Sequence, residues 1–449
     1  MFYRAFRFVV SLLLRNFFRV EPVVDPSRAL TAEGPVIYVG NHPNGLVDPG
    51  LLFILVRRHV TFLAKAPLFR MPVLGWLLKG LDALPVFRKQ DGGGDTSKND
   101  ATLTASVDAL VQGRAITLFP EGKSHSEPQL AELKTGCARI ALDAVSKGAK
   151  VRLVPVGITY GEKNRFRSLV HVEVGAPLEV SAFATPEGAR DVEAVRRLTD
   201  AIADALTALT LNLARWEDLP LVKTAEALYA LERGQAAGDL ERQKAFARGL
   251  SLLRDEQPAR FDTLKAEVVA FQRRLELVQV TPEELTFHYR PSTVARFVVR
   301  NLVWLLGLPV FLAGMAAFVV PYWIPLGAVK LARPEADTES TVKVLTLLLL
   351  APLWWALLVV VGGWAWGLSG ALGALVGVPP LALFTRWYLE RRVAAVRDAR
   401  VFFLFFSRQR LKARLLTEGR ALAQAIDGVA EELGPRVVGA AASPGPTGR

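Results

Sequence analysis

Residues 344–384 run 41 consecutive positions without a charge. A soluble helix shows a polar face, and this stretch has none. It is long enough to pass twice through a hydrocarbon layer ~30 Å thick. Gly362, Gly363, Gly367 and Gly370 stand near its middle as a turn. A second charge-free run covers residues 302–325, where Pro309 and Pro321 predict a kinked or broken helix, or a re-entrant hairpin. The polar loop 326–343 separates the two runs. A positive mean hydropathy of +0.27 agrees with membrane segments.

The formal net charge is +12, and its placement matters more than its size. Residues 1–20 hold Arg4, Arg7, Arg15 and Arg19 with no acid. Residues 386–420 hold ten Lys or Arg against Glu390, Asp398 and Glu418. Both stretches flank or contain apolar runs, which suits an anionic membrane surface rather than nucleic acid. There is no zinc-finger spacing and no aromatic RNA-binding box, so no nucleic-acid partner is expected. The positive-inside rule prefers the N-terminal part and the basic C-terminal stretch on the cytoplasmic side, hence an even number of crossings.

In residues 1–20, Arg4, Arg7, Ser11, Arg15 and Arg19 form one polar stripe on a helix otherwise rich in Phe, Leu and Val. Arg15 interrupts the apolar stretch and no small-residue cleavage site follows, so an interfacial helix is expected rather than a signal peptide. Strand-like runs then appear at 35–39, 60–64, 115–119, 151–158 and 169–174. Helix-like stretches fill 49–58, 101–112 and 135–147. This alternation predicts an α/β fold, a mixed and mostly parallel sheet flanked by helices. From residue 183 strands give way to charged helical stretches. The expected layout is an interfacial helix at 1–24, an α/β domain at 25–182 and a helical subdomain at 183–295. Membrane helices follow at 296–390, then a basic amphipathic helix and disordered tail at 391–449. Cys137 is the only cysteine, which excludes a disulfide framework and suits a small buried residue.

The most informative local stretch is Val36 to Pro49. An apolar β-branched run ends at Gly40, the chain turns through Asn41-His-Pro-Asn-Gly45, and Asp48-Pro49 precedes the apolar run Leu51–Val56. Asp48 at N-cap with proline at the first helical position is how a helix starts. His42 and Asp48 are therefore either a turn residue and a cap, or an acid–base pair facing one pocket.

Three further blocks follow in order: Gly80-Leu-Asp-Ala-Leu-Pro-Val-Phe-Arg88, Phe119-Pro-Glu-Gly-Lys-Ser-His125 with Lys134-Thr-Gly136, and Val154-Pro-Val-Gly157. A neutral His42 can take a proton from a hydroxyl, and a carboxylate on its other ring nitrogen fixes the tautomer. With no suitable protein nucleophile in the block, the attacking oxygen would belong to the substrate. Arg88, Lys123 and Lys134 are cations of the kind that hold a phosphate. Gly122 lets the backbone approach a ligand. His59, His125, His171 and His288 form no ligand cluster; His125 is either a turn residue or a phosphate contact.

In order and spacing the four blocks resemble the glycerophospholipid acyltransferase family over roughly residues 30–180. The family's usual first block has four residues between His and Asp; here there are five, Pro43 to Val47. The usual Arg after Glu-Gly-Thr is replaced by Lys123-Ser124-His125. Both departures resemble the fungal glycerol-3-phosphate and dihydroxyacetone-phosphate acyltransferase branch. The resemblance implies the glycerolipid acyltransferase fold and an enzyme of phospholipid biosynthesis. His42 would be the general base and Asp48 its orienter, with Arg88, Glu121, Gly122, Lys123 and Ser124 lining the acceptor site. Backbone N–H groups near Gly122 or at the helix after Asp48 would hold the oxyanion.

The implied acceptor is glycerol 3-phosphate or dihydroxyacetone phosphate, with a lysophospholipid as runner-up. The implied donor is acyl-CoA or acyl carrier protein, a co-substrate, with no metal or redox cofactor. The implied setting is a phospholipid membrane, with the chain integral and the catalytic domain on the cytoplasmic side. A non-catalytic lipid-binding protein on the same fold is the alternative of another class.

Overall fold

In a computed structural model, which describes residues 2–86, 97–286 and 291–442, the run beginning at Val36 becomes the centre of an eight-stranded sheet. The strands are β1 (Arg19–Val20), β2 (Val36–Gly40), β3 (Val60–Lys65), β4 (Leu84–Val86), β5 (Ala115–Leu118), β6 (Arg152–Tyr160), β7 (Leu169–Val174) and β8 (Leu178–Glu179). Their order is β1-β7-β6-β2-β5-β3-β4, with β8 on β6. β2 lies between β5 and β6 and is parallel to both; β7 and β8 pair antiparallel with β6, and β1 pairs parallel with β7. The five strands expected from sequence are β2, β3, β5, β6 and β7. All of β2 is buried, as a strand with neighbours on both edges and helices on both faces must be.

Around the sheet lie α1 (Phe2–Phe17), α2 (Val47–Leu55), α3 (Pro72–Gly80), α4 (Ser97–Val111), α5 (Gly136–Ser146) and α6 (Val192–Leu209). Ile37, Ile116 and Leu153 of the sheet pack with Leu110, Leu142 and Leu198 of α4, α5 and α6. Each such fully buried side chain contributes about 1.5–3 kcal/mol. Pro155 of the fourth block sits inside β6. It falls in the gap where the outer edge of β6 passes from β8 to β7, so its missing N–H leaves no ladder bond broken there. Gly157 lets α6 close on the sheet: a Cβ there would lie 2.5 Å from Leu209 O.

α1 lies against α2, and its polar stripe does not face outward as a unit. Arg7 Nη2 donates to Ile54 O at 2.8 Å, placing a cation at the last carbonyls of α2. Tyr3 OH donates to Arg58 O at 3.3 Å. Phe8 and Leu12 are exposed instead, at 69% and 54%.

The chain divides into two compact units. One holds residues up to Leu211 together with Arg333–Val344; the other holds Asn212–Ala332 and continues from Leu345. The second unit is helical: α7 (Asp218–Glu232), α8 (Leu240–Glu256), α9 (Pro258–Val278), α10 (Pro291–Ala332), most of α11 (Glu339–Ser407) and α12 (Gln409–Ala442). Leu306–Ala332 and Glu339–Arg392 are long and apolar enough to cross a membrane. α10 stays helical through Pro309, Pro321 and Pro325. α11 breaks at Trp366 and Gly367, where φ of Gly367 is 65°, so the expected glycine turn is a sharp kink at that pair. The basic stretch expected as an interfacial helix spans the end of α11 and the start of α12. Apolar residues of these segments, among them Val401, Phe405, Leu415 and Leu422, are buried in a core with Leu228, Phe261 and Phe271. The tail residues 443–449 lie outside the described residues.

Candidate active site

Gly40 ends β2 where a Cβ would come within 3.0 Å of the Phe119 ring. Asn41 then ties the turn to β6: its Nδ2 donates to Ile158 O at 3.0 Å, and Ile158 N donates to its Oδ1 at 2.7 Å. The chain reverses, and Asn44 O accepts from the amides of Val47 at 3.0 Å and Asp48 at 3.1 Å. That closes the first helical turn earlier than the sequence pattern indicated. Leu46, not Asp48, is the N-cap of α2, and Asp48 stands inside the first turn. Its carboxylate reaches back to Asn44 N at 2.6 Å instead of capping forward.

The turn brings His42 and Asp48 together. His42 Nδ1 lies 2.8 Å from Asp48 Oδ2, and Tyr160 OH donates to Asp48 Oδ1 at 2.6 Å. Asp48 is fully buried and the His42 side chain is 12% exposed. Burial pushes the Asp48 carboxyl up, while hydrogen bonds from His42, Tyr160 and the Asn44 amide pull the other way. Tyr160 is pushed well up by its own burial and then by Asp48, so it stays a donor. An ionised carboxylate only accepts, so the His42 proton belongs on Nδ1 and Nε2 carries the lone pair. Nε2 has no hydrogen-bond partner among the described residues. The imidazole stacks on Phe119, with ring centroids 4.3 Å apart, which fixes its plane.

The third block is folded beneath this pair. Glu121 is buried, and its carboxylate accepts from His42 N at 2.6 Å, Ala131 N at 2.9 Å and His125 Nε2. It thus holds the His42 backbone from below. His125 Nδ1 accepts from Glu127 N at 3.1 Å, so both ring nitrogens serve the turn and neither is left for a phosphate. Gly122 has φ 75°, and the Lys134 stem passes 3.4 Å from where its Cβ would be. Lys123 and Lys134 are exposed beside it and Ser124 is half-buried. The Gly122 amide donates to Phe119 O at 3.0 Å, and the amides of Val47 and Asp48 are taken by Asn44 O. The Gly122 amide, one of those expected to hold an oxyanion, is thus already bonded. Arg88 lies outside the described residues.

The acyltransferase family model matches residues 22–159, which contain all four blocks and the whole turn. An uncharacterized acyltransferase of Schizosaccharomyces pombe is 26% identical over 309 residues, 49% of this chain and 46% of the relative. Glycerol-3-phosphate O-acyltransferase 1 of Saccharomyces cerevisiae is 37% identical over 127 residues, 27% of this chain and 16% of the relative. Residues 22–159 form an acyltransferase domain, similar over part of its length to yeast glycerol-3-phosphate O-acyltransferases. The match to yeast proteins agrees with the fungal-type spacing of the first block. The chain spans less than half the length of these two yeast relatives. A crystal structure of the 1-acyl-sn-glycerophosphate (LPA) acyltransferase PlsC from Thermotoga maritima aligns with 45% of this chain and 76% of that one, at 20% identity and a TM-score of 0.33.

The acyltransferase domain also uses residues that the sequence did not point to. Tyr160, at the end of β6, braces Asp48; a Tyr at a strand end carries no signal of that. Lys163 Nζ reaches Pro43 O at 2.7 Å, beside His42. Thr341, far along the chain, accepts from Leu46 N at 3.0 Å. Cys137 is buried in α5, and burial pushes its thiol up, so it is an inert core residue. Among the described residues no three His, Cys, Asp or Glu side chains converge as a metal site.

Proposed function

We propose that the acyltransferase domain moves an acyl group from a thioester, acyl-CoA or acyl carrier protein, to a hydroxyl of glycerol 3-phosphate or dihydroxyacetone phosphate. The observation that carries this reading is the 2.8 Å bond between His42 Nδ1 and an Asp48 carboxylate fixed by two further donors. That arrangement leaves Nε2 as a base of fixed orientation. The acceptor hydroxyl gives its proton to Nε2 as its oxygen attacks the thioester carbonyl. The tetrahedral intermediate collapses, the C–S bond breaks, and the imidazolium returns the proton to the leaving thiolate. Asp48 stabilises the imidazolium between these steps.

Lys123, with Lys134 beside it, supplies positive charge for the acceptor phosphate, and Arg88 and Ser124 are the further candidates. Glu121 and Gly122 shape the loop that presents these groups. The apolar segments Leu306–Ala332 and Glu339–Arg392 fit a membrane-integral chain, and the basic residues after them fit its cytoplasmic side. Acyl chains and product partition into the bilayer, so a domain held at its surface meets both.

The test is purified full-length chain with labelled acyl-CoA and a panel of glycerol 3-phosphate, dihydroxyacetone phosphate and lysophosphatidate. The expected result is transfer to one of the first two, lost by about 10³-fold or more in His42→Ala with the fold intact. Near-full activity in His42→Ala sinks the mechanism. Transfer to lysophosphatidate alone replaces the acceptor.

A further inference from the structure

The ammonium of Lys163, on the β6–β7 connection, is bound entirely by protein. Nζ donates to Pro43 O at 2.7 Å, Ser126 Oγ at 2.7 Å and His125 O at 3.3 Å. Three acceptors match the three protons of an ammonium, so this cation is not waiting for an anion. Pro43 follows the candidate base, and His125-Ser126 close the third block. One side chain therefore joins the turn carrying His42 to the loop carrying Glu121, Gly122 and Lys123. Burial pulls the Lys163 pKa down, and the charges of Asp337 and Asp48 push it back up.

Lys163 is itself held from outside by the segment between α10 and α11 together with the first residues of α11. Ser340 Oγ donates to Lys163 O at 2.5 Å, and Asn164 Nδ2 donates to Ala336 O at 2.8 Å. Lys343 Nζ donates to Asn164 O at 2.7 Å. The same segment touches the turn directly, since Thr341 Oγ1 accepts the Leu46 amide at 3.0 Å. Gly45 permits that approach: a Cβ there would stand 2.7 Å from Thr341 Oγ1. Ser340 is wholly buried and Asp337 is 4% exposed, so this is a packed strap rather than a loop resting on a surface.

We propose that Lys163, braced by Ser340 while Thr341 holds the turn at Leu46, is a positioning residue that keeps the His42 turn and the third-block loop in catalytic register. The strap follows α10 and includes the first residues of α11, so the register of the site depends on where the two apolar helices join. The effect on turnover rests on the reading of His42 as the base. The effect on how firmly His42 is held does not.

The test uses full-length Lys163→Met, Lys163→Arg and Thr341→Val, with two readouts. One is kcat and KM for donor and acceptor. The other is the rate at which diethyl pyrocarbonate modifies His42, followed by peptide mass spectrometry. Lys163→Met is expected to lower kcat by about 30- to 100-fold with both KM values within about twofold, as displacement of a base by an ångström does. His42 should react at least about fivefold faster, because the turn is loosened. Lys163→Arg should recover most of both changes, since guanidinium donors can reach the same carbonyls. Thr341→Val should change both in the same direction by about three- to tenfold.

Wild-type kcat and wild-type His42 reactivity in Lys163→Met overturn the proposal. So does a loss of kcat with unchanged reactivity and no recovery in Lys163→Arg. If Lys163→Met does not fold, Thr341→Val decides, and wild-type values there overturn the proposal. A wild-type chain that acylates none of the acceptors defeats the proposed function, and the modification rates still decide the positioning role.

Discussion

Both units of this chain bury carboxylates, and they do so with opposite chemistry. In the helical unit Asp218 of α7 pairs with Arg254 of α8 at 2.7 Å, and Glu226 of α7 pairs with Arg242 of α8 at 2.7 Å. Both acids are nearly inaccessible, with side chains 4% and 1% exposed. Their partners are guanidiniums, which never give up a proton and present a rigid fork. Such pairs tie two helices together and offer no proton that can move. In the α/β unit Asp48 is equally buried, but its partners are an imidazole, a phenol and a backbone amide. A histidine partner leaves one proton that can move. The lesson is that burial alone marks neither carboxylate as functional; the titratability of the partner separates them.

The sharpest way to break this comparison is Asp48→Asn. The amide preserves shape but cannot stabilise an imidazolium, so acyl transfer should fall by about 10³-fold, or roughly 4 kcal/mol. Stability should respond with a definite sign. Burial raises the folded carboxyl above 3.8, so the folded state holds its proton more tightly than the unfolded chain. Wild-type stability therefore declines relative to Asp48→Asn as pH rises through the window beginning near 3.8, and levels off above the folded pKa. Denaturant melts of both proteins at several pH values read this directly. A wild type that gains on Asp48→Asn over that window would place Asp48 with the arginine-paired acids.

Asp218→Ala should behave the other way. Removing it leaves Arg254 without its ion pair, and Arg254 Nε already has no hydrogen-bond partner among the described residues. A broken buried pair costs about 3–5 kcal/mol, and the partial exposure of Arg254 brings that to about 2–3 kcal/mol. The thermal midpoint should drop by several degrees while kcat per folded molecule is unchanged. Loss of kcat at an unaltered midpoint would erase the distinction between the two classes.

How much of this was legible differs between the same two regions. The sheet was readable because β2, β3, β5, β6 and β7 are β-branched runs bounded by turn residues. The short strands β1, β4 and β8 carry two or three residues each, too few for a pattern. His42 and Asp48 were readable because six residues of tight turn must bring them close. The N-cap was misplaced because the Asn44 carbonyl, not the Asp48 side chain, closes the first helical turn, and no local pattern shows that. Tyr160, Lys163 and Thr341 were invisible for a common reason. Each reaches the turn through the tertiary fold, from more than a hundred residues away in sequence. The bundle packing of the basic stretch that ends α11 and begins α12 was not legible, because its apolar partners lie far away in sequence.

The finest test of the comparison is Tyr160→Phe. It removes one hydroxyl and leaves the imidazole bond of Asp48 in place, so it asks how much the phenol contributes to holding the orienter. Without that donor Asp48 Oδ1 is buried and unsatisfied, and the carboxyl loses one of the bonds opposing its upward shift. Charged Asp48 becomes harder to maintain, so the acid limb of the pH–rate profile should move to higher pH. At the optimum kcat should fall by about tenfold, near 1.4 kcal/mol, with little change in KM for either substrate. An unchanged profile with unchanged kcat would show that His42 and the Asn44 amide hold Asp48 unaided. A shifted profile would make the phenol a third member of the unit, the role that no arginine plays for Asp218.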